Sequence, residues 1–261
     1  MTNVRSRRLS SIPRICFIHV PKCAGVSVAS TIGQQYSVID RTLFKTFSLN
    51  GRSCAKAGEA IGSTRRDVRE RVVAYMLAED KYIFATGHFH CPPSLVTAFK
   101  DDWKFTTVLR HPVERWISGY VYDRHKSSSL QGKVDVSVEA FLESERGRYS
   151  GMTYLAYFSD IPKTPDAGDH DTFVDQAKAN LDNFALVGQL ERLPDFLSSF
   201  SKLSGKPLKM KHVNKTPRND IKGEIRSNER LMQRIEEVCQ PDIKLYNKLF
   251  GRSSHTLDKA F

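Results

Sequence analysis

The sequence predicts an α/β fold of three layers, in which helices cover both faces of a central parallel sheet. Short apolar runs alternate along the chain with segments of helical periodicity, as strands and helices do in such folds. The 261 residues suffice for one sizeable domain, and no internal repeat or domain boundary interrupts them. We therefore expect a basic, flexible lead over residues 1–14 and a single domain over residues 15–261.

Four segments are predicted to be the buried strands of the sheet. Each is short, rich in apolar or β-branched residues and without helical periodicity. The first run ends at Pro21. The predicted strands are residues 15–20 (ICFIHV), 82–86 (YIFAT), 105–109 (FTTVL) and 185–189 (ALVGQ).

Helices are predicted between these strands and after the last of them. The helix after the first turn has Val28, Ile32 and Tyr36 on one face. The helix over 112–124 opens at Pro112, a favoured first-turn position. Further helices are predicted over 64–79, 172–184, 194–203 and, as one or two helices around Pro241, 228–250; loops are predicted over 40–63, 126–135, 159–171 and 206–222.

The chain is strongly basic. Lysines and arginines number 40 and acidic residues 29, so the net charge is 40 − 29 = +11. This charge favours anionic partners such as nucleotides, nucleic acids, anionic polysaccharides or a membrane surface, and it does not choose among them. No apolar run approaches the roughly 18 residues of a membrane-spanning helix, so no membrane segment is expected.

The cysteines indicate a reducing compartment. Their number is odd, they are scattered, and no CxxC pair occurs, so neither a disulfide framework nor a zinc site is predicted. We expect a cytoplasmic protein; a location in the Golgi lumen would require a membrane anchor outside this sequence. The five cysteines are Cys16, Cys23, Cys54, Cys91 and Cys239.

A strand–turn–helix motif lies at residues 17–27 (FIHVPKCAGVS). A glycine turn that leads into a helix presents backbone N–H groups and the positive end of the helix dipole to an anion. Lys22 adds a charge and Ser27 a hydroxyl, which suits a phosphate; the alternative is an ordinary turn with a surface lysine. The motif is not a Walker A loop, and the strand at 105–109 is followed by Arg110 rather than by the acid of a Mg-nucleotide site.

A second motif lies at residues 108–120 (VLRHPVERWISGY). Arg110 is predicted at the carboxyl end of a strand, where open α/β sheets bind ligands. Its guanidinium can hold a phosphate through two parallel hydrogen bonds. Ser118 lies about two turns into the following helix. The alternative is that Arg110 pairs with a carboxylate such as Glu114.

The two motifs together resemble the phosphate-binding signatures of the sulfotransferases that use 3′-phosphoadenosine-5′-phosphosulfate (PAPS). PKCAGVS and LRHPVERWISGY are similar to PK(T/C)AGTS and LR(D/E)PVERxxSxY in the family that includes heparan sulfate 2-O- and chondroitin/dermatan sulfotransferases. The resemblance implies a fold like that of the P-loop nucleotide kinases. It continues, in family order and spacing, through TGHF (86–89), ALVGQLERL (185–193), HVNKTPR (212–218) and PDIKLYNKLF (241–250).

The resemblance implies a role for each matching residue. The turn at 22–27 would bind the 5′-phosphosulfate, Arg110 and Ser118 the 3′-phosphate, and the loop at 214–218 would close over the nucleotide. Val26 stands where the family has threonine, and His111 where it has an acid. The residues implied to bind PAPS are Lys22, Cys23, Ala24, Gly25, Val26, Ser27, Arg110, Ser118, Lys215 and Thr216.

A Gly-His pair follows the second predicted strand. In the family, a histidine in such a pair is the general base, and His88 matches it. An imidazole with a pKa of about 6.5 can accept a hydroxyl proton near neutral pH. The alternative is a structural histidine at a strand end. His90 shares the face of His88 if the strand continues, so it is the reserve candidate or an acceptor contact; a His-x-His metal site lacks a third ligand.

The predicted function is sulfuryl transfer from PAPS to an acceptor hydroxyl, on a saccharide by family analogy, with adenosine 3′,5′-bisphosphate as the other product. His88 and Lys22 are the predicted catalytic residues, and no metal is required. The alternatives are a metal-dependent P-loop kinase or NTPase and a non-catalytic module that binds polyanions. The arginines of the helix at 64–79 form either a solvated face or a contact to an anionic acceptor. They are Arg65, Arg66, Arg69 and Arg71.

Overall fold

A computed structural model describes residues 13–36, 42, 44–126, 132–162, 169–208 and 220–251. Its sheet has five strands, all parallel, in the order β2–β3–β1–β4–β5. The first strand is therefore central and lies between the third and the fourth. The strands are β1 (Ile15–Ile18), β2 (Lys45–Ser48), β3 (Tyr82–Gly87), β4 (Lys104–Leu109) and β5 (Leu186–Gln189).

Helices connect the strands and complete the chain. They are α1 (Gly25–Gln34), α2 (Gly51–Ala60), α3 (Arg65–Ala78), α4 (Pro93–Phe99), α5 (Pro112–His125), α6 (Val138–Glu143), α7 (Glu145–Ser150), α8 (Thr153–Phe158), α9 (His170–Leu181), α10 (Leu193–Ser204), α11 (Asp220–Ser227) and α12 (Glu229–Phe250), with a short 3₁₀ helix at Leu190–Arg192.

The sheet separates two apolar cores. Alternate side chains of β1 point to opposite faces, so Ile15 and Phe17 enter one core and Cys16 and Ile18 the other. The helices α1 and α10 cover the first face. The helices α3, α4, α8, α9 and α12 cover the second. This arrangement confirms the predicted three-layer α/β fold with a parallel central sheet.

The predicted strands are present, although β1 ends at Ile18 rather than at residue 20. The predicted loop at 40–63 is wrong, because it holds β2 and α2. The strand β2 lies at the sheet edge and is largely exposed, so it carries no apolar run. The helix α2 begins at Asn50, whose side chain accepts hydrogen bonds from the N–H groups of Arg52 and Ser53.

The C-terminal part of the chain is more helical than predicted. The loop predicted over 206–222 gives way to α11 at Asp220. One helix, α12, runs through Pro241 without ending there. Three short helices, α6 to α8, occupy a stretch for which the sequence made no prediction. The loop prediction over 40–63 failed because a polar, glycine-bearing segment was taken as irregular. The prediction over 206–222 is wrong only at its end, and residues 209–219 lie outside the described part of the chain.

The N-terminal lead is described only at its end, since residues 1–12 lie outside the described part of the chain. Arg14 is 9% exposed and donates hydrogen bonds to the carbonyl groups of Leu77, Glu79 and Tyr82. Its guanidinium also stacks over Trp103 at 4.3 Å. Arg14 therefore belongs to the folded domain and anchors the start of β1.

All five cysteines are buried and carry free thiols. Burial raises the pKa of the Cys23 thiol, which lies in the turn after β1, to about 11. None of the helices that the structure describes is both long and apolar enough to cross a membrane. Within the same ranges, no group of three or more histidine, cysteine, aspartate or glutamate side chains is placed to hold a metal ion.

Candidate functional site

The three sequence motifs meet at the carboxyl edge of the sheet. The chain leaves β1 toward β2 on one side and leaves β4 toward β5 on the other, so the order of connections reverses between β1 and β4. Ligands of open α/β sheets bind at such a reversal, beyond the carboxyl ends of the strands. Ile18, at the end of β1, is in register with Gly87 of β3 and Thr107 of β4. The turn at 22–27, His88 and Arg110 therefore follow three adjacent strands.

The turn after β1 has an unusual backbone. Lys22 and Ala24 have φ of 69° and 55°, the left-handed region, which costs a residue with a side chain about 1–2 kcal/mol. Strain of this kind is concentrated at functional sites. Gly25 opens α1, and a Cβ there would lie 1.7 Å from Cδ2 of His19. A larger residue would fit at this place only if the His19 ring moved away.

The other side chains of the turn differ in access. Cys23 is buried, and its thiol lies 3.7 Å from the Tyr154 hydroxyl. Ser27 is half-buried. The side chain of Val26 is 66% exposed. Val26, which stands where the resembling motif has threonine, is therefore largely open to solvent.

Lys22 is a partly buried cation. Its Nζ lies 3.8 Å from the centre of the Tyr122 ring. Burial, followed by the charges of Lys222 and Arg110, lowers the pKa of Lys22 to about 8, although Asp123 opposes them. Lys22 is thus close enough to Lys222 and Arg110 to be repelled by their charges. A bound anion would stabilise this group of cations.

Arg110 is held by its backbone. Its N–H donates to the Tyr154 hydroxyl at 3.0 Å, and that hydroxyl donates to the Arg110 carbonyl. The guanidinium donates to Glu114 at 3.0 Å, so the carboxylate pairing left open by the sequence is present. The Tyr154 clamp fixes the end of β4, from which the side chain projects.

Glu114 is shared between two arginines. Arg226 of α11 donates to both of its oxygens, at 3.1 and 2.7 Å. Burial alone would raise the pKa of Glu114, but the bonds and charge of Arg226 and the charge of Arg110 lower it. Lys222 is 9% exposed, and burial followed by the charges of Arg110 and Arg226 lowers its pKa. One carboxylate thus faces three cations, which leaves this side of the site positive.

Two residues without an assigned role have defined contacts. Glu191 accepts a hydrogen bond from the His111 N–H at 2.9 Å and one from the Tyr246 hydroxyl at 3.0 Å. It joins the ends of β4 and β5 to α12. The His111 ring packs edge-on against Tyr246, with 5.6 Å between their centres. Ser118 is 3% exposed on α5.

His88 lies directly after β3 and contacts His19. Its Nδ1 is 2.7 Å from the His19 carbonyl. A carbonyl only accepts, so Nδ1 carries the proton and the neutral ring keeps its lone pair on Nε2. Burial lowers the pKa of His88 below its ordinary value of 6.5; the bond to His19 opposes this, and the charges of Arg69 and Lys22 add to it. The Gly87 before it has φ of 155°, and a Cβ there would lie 2.6 Å from that of Leu49.

His90 does not share a strand face with His88, because β3 ends at Gly87. Its Nδ1 lies 3.8 Å from Glu70, and its ring packs 4.9 Å from Tyr157. The two histidines therefore lie in a loop with different neighbours.

The arginines of α3 are not one solvated face. Arg71 is exposed, whereas Arg65, Arg66 and Arg69 are half-buried. Arg66 donates to Glu70 at 2.8 Å. Burial, and then the charge of Arg65, lowers the pKa of Arg69.

Two predicted site residues, Lys215 and Thr216, lie outside the described residues, as does the whole loop at 214–218. The sequence missed three residues that the structure brings to the site. Lys222 lies at the end of the segment predicted as a basic loop, and Arg226 lies just after it. The positive charge of that segment was the only signal for these two residues. Tyr154 gave no signal, because its partner Arg110 lies 44 residues away along the chain.

The chain matches no model of a known protein family. It also matches no curated protein sequence. Among solved structures, it is similar to a sulfotransferase from Alicyclobacillus acidocaldarius at 17% sequence identity. That similarity covers 92% of this chain and 96% of the other, with a TM-score of 0.48. The function is inferred from the residues of the site.

Proposed function

We propose that this protein is a PAPS-dependent sulfotransferase that transfers a sulfuryl group to a hydroxyl of a saccharide. The observation that carries the proposal is the meeting of three motifs at adjacent strand ends. A cationic turn follows β1, an arginine held by its backbone follows β4, and a neutral histidine follows β3. Two elements suited to anions and a neutral base suit transfer from a phosphorylated donor to a hydroxyl.

The donor is proposed to bind between the turn and α5. Its 5′-phosphosulfate would take the backbone N–H groups at the start of α1, with Lys22 and Ser27. Its 3′-phosphate would take Arg110 and Ser118. The cations Lys222 and Arg226 support this assignment, because they bring positive charge to Arg110 beyond what Glu114 balances. Lys215 and Thr216 complete the proposed donor set on the basis of the resemblance.

The reaction is an in-line displacement at sulfur. His88 removes the acceptor hydroxyl proton at Nε2, and the acceptor oxygen forms a bond to sulfur. The bond between sulfur and the 5′-phosphate oxygen breaks, and its electron pair stays on that oxygen. The charge that develops there is stabilised by the Lys22 ammonium, an effect worth several kcal/mol in a partly dry site. The products are adenosine 3′,5′-bisphosphate and the sulfated acceptor.

The saccharide acceptor is proposed from the resemblance of the two phosphate-binding motifs. A cytoplasmic location is proposed as well, because the scattered cysteines, all free in the structure, suit a reducing compartment. No metal is proposed to take part in the transfer, because the turn departs from the Walker A pattern.

The proposal is tested by transfer of radiolabel from [³⁵S]PAPS to panels of glycans, lipids and small hydroxyl compounds. We expect label in saccharides, and label only in another class would change the acceptor but keep the reaction. Adenosine 3′,5′-bisphosphate at about 100 times its dissociation constant should stabilise the fold by roughly 2.7 kcal/mol without magnesium. Stabilisation by Mg-ATP alone, with no labelled product, would instead favour a kinase or NTPase.

A further inference from the structure

The ring of His19 lies where the donor turn and the proposed base meet. Its centre is 4.0 Å from that of His88, and the two ring planes are 33° apart. The His19 ring also lies against Gly25, where it occupies the space that a Cβ would need. The His19 side chain is therefore packed between the first residue of α1 and the imidazole of His88.

The backbone of His19 is held by the same strand end. Its N–H donates to the carbonyl of Gly87 at 3.1 Å, and its own carbonyl accepts from His88 Nδ1. The first bond continues the pairing of β1 and β3 beyond their last ladder residues, Ile18 and Gly87, and the second holds the His88 side chain at the same strand end. His19 thus contacts His88 through both its carbonyl and its ring.

We propose that His19 is a positioning residue, whose ring holds the His88 imidazole in one orientation against the donor turn. The inference rests on the proposed function, in which His88 is the base. The carbonyl of His19 selects the tautomer, and the ring prevents His88 from rotating away and excludes water from its face.

The electrostatics suit a residue that stays neutral. Burial, followed by the charges of His88 and Lys22, lowers the pKa of His19 to about 3. The groups that act on His88 within the described residues are His19, Arg69 and Lys22. Because His19 remains uncharged at neutral pH, it places no positive charge beside His88.

The test follows His88 itself, by NMR titration of ¹⁵N-labelled histidines in the whole protein. In His19→Ala, water reaches the exposed face of His88, burial decreases, and the pKa of His88 should rise toward 6.5. The His19 carbonyl remains in this variant, but the freed His88 ring can rotate away from it, so the protonated nitrogen should no longer be Nδ1 alone. In His19→Phe, a ring remains in place, and the wild-type titration should be largely restored.

Gly25→Ala displaces the His19 ring without altering it, because the added Cβ occupies its place. This variant should shift the His88 titration in the same direction as His19→Ala. With PAPS and a working acceptor, His19→Ala should lose on the order of 10- to 100-fold in turnover. The acidic limb of its rate profile should move to higher pH, with nucleotide binding kept.

An unchanged titration and tautomer of His88 in folded His19→Ala would overturn the proposal. The same holds if His19→Phe behaves like His19→Ala, since a ring would then have no effect. These NMR results do not need activity. A lack of sulfuryl transfer by the wild-type protein would refute the proposed function and would leave the result on His88 orientation standing.

Discussion

The two sides of β1 support their functional groups in different ways. On the β4 side, backbone and side chains are fixed by directed polar contacts: Tyr154 clamps Arg110, and Glu191 holds the N–H of His111. On the β3 side, the contacts of His88 within the described ranges are a hydrogen bond to a carbonyl and ring packing against His19. The first side is built to keep charge in place, and the second to keep an imidazole neutral.

This difference matches the different requirements of the two proposed roles, which are anion binding on the β4 side and proton acceptance on the β3 side. Binding an anion needs cations that are held in fixed positions, because a cation attracts the ligand strongly only when it is correctly placed. Accepting a proton near neutral pH needs a ring that is not already charged. Burial and the nearby charges of Arg69 and Lys22 lower the pKa of His88, which keeps its base form populated.

The largest expected effect is the loss of His88, the proposed base. His88→Ala should lower turnover by about 10²–10⁴, because no group remains to take the hydroxyl proton. Binding of adenosine 3′,5′-bisphosphate, measured by calorimetry, should persist, since the β4 side is unchanged. His90→Ala is the control and should lower turnover much less. Collapse of the rate in His90→Ala alone would reverse the two assignments.

The charge of Lys22 interacts with groups on both sides of β1, with His88 on the β3 side and with Arg110 on the β4 side. Lys22→Ala should reduce turnover by about 10²–10³, more than it weakens product-nucleotide binding, because the ammonium acts on developing charge. For the wild type, kcat/KM should rise with pH through a pKa below 6.5 as His88 loses its proton, and fall through about 8 as Lys22 does. Lys22→Arg should remove the fall, since a guanidinium stays charged. A fall that persists near pH 8 in that variant would assign it to another group.

On the β4 side, Arg110→Ala should weaken the binding of adenosine 3′,5′-bisphosphate by about 10- to 100-fold. This is the change in affinity expected when a hydrogen bond to a charged group is lost. The substitution should weaken the binding of 5′-AMP less, because that ligand has no 3′-phosphate. The comparison is made by calorimetry at fixed salt. Equal losses for both ligands would remove Arg110 from the 3′-phosphate site.

The smallest effect is expected for the clamp itself. Tyr154→Phe leaves the N–H and carbonyl of Arg110 without their partner, which should lower the free energy of unfolding by about 1–3 kcal/mol and weaken bisphosphate binding. Urea denaturation measures the first and calorimetry the second. Tyr120→Phe is the matched control, because it also removes a tyrosine hydroxyl that donates to a backbone carbonyl, that of Val136. If both variants affect nucleotide binding equally, the clamp has no special role.

The sequence predicted what is local and missed what is distant along the chain. The turn after β1 could be recognised because an apolar run, a proline and a glycine follow one another within it. The strand β2 could not, because an exposed edge strand has no apolar pattern. Glu191 could be singled out by resemblance, but its role depends on His111, 80 residues away.

The same limit applies to the base. A Gly-His pair at a strand end suggested His88, and the tautomer became clear only from the carbonyl of His19, 69 residues away. His19 itself lies within the first motif, FIHVPKCAGVS, yet nothing in the sequence shows that its ring fills the place of a Cβ at Gly25.

The central position of β1 has a consequence for how the protein folds. Ile15 pairs with Phe84 on one side and with Lys104 on the other, so the middle of the sheet closes only after long stretches of chain have come together. Parallel sheets with such distant contacts assemble slowly. The donor turn, His88 and Arg110 come together only when these strands have joined. During refolding, nucleotide affinity should therefore return late, together with the last strand pairing, and recovered affinity is a direct indicator that the native sheet is complete.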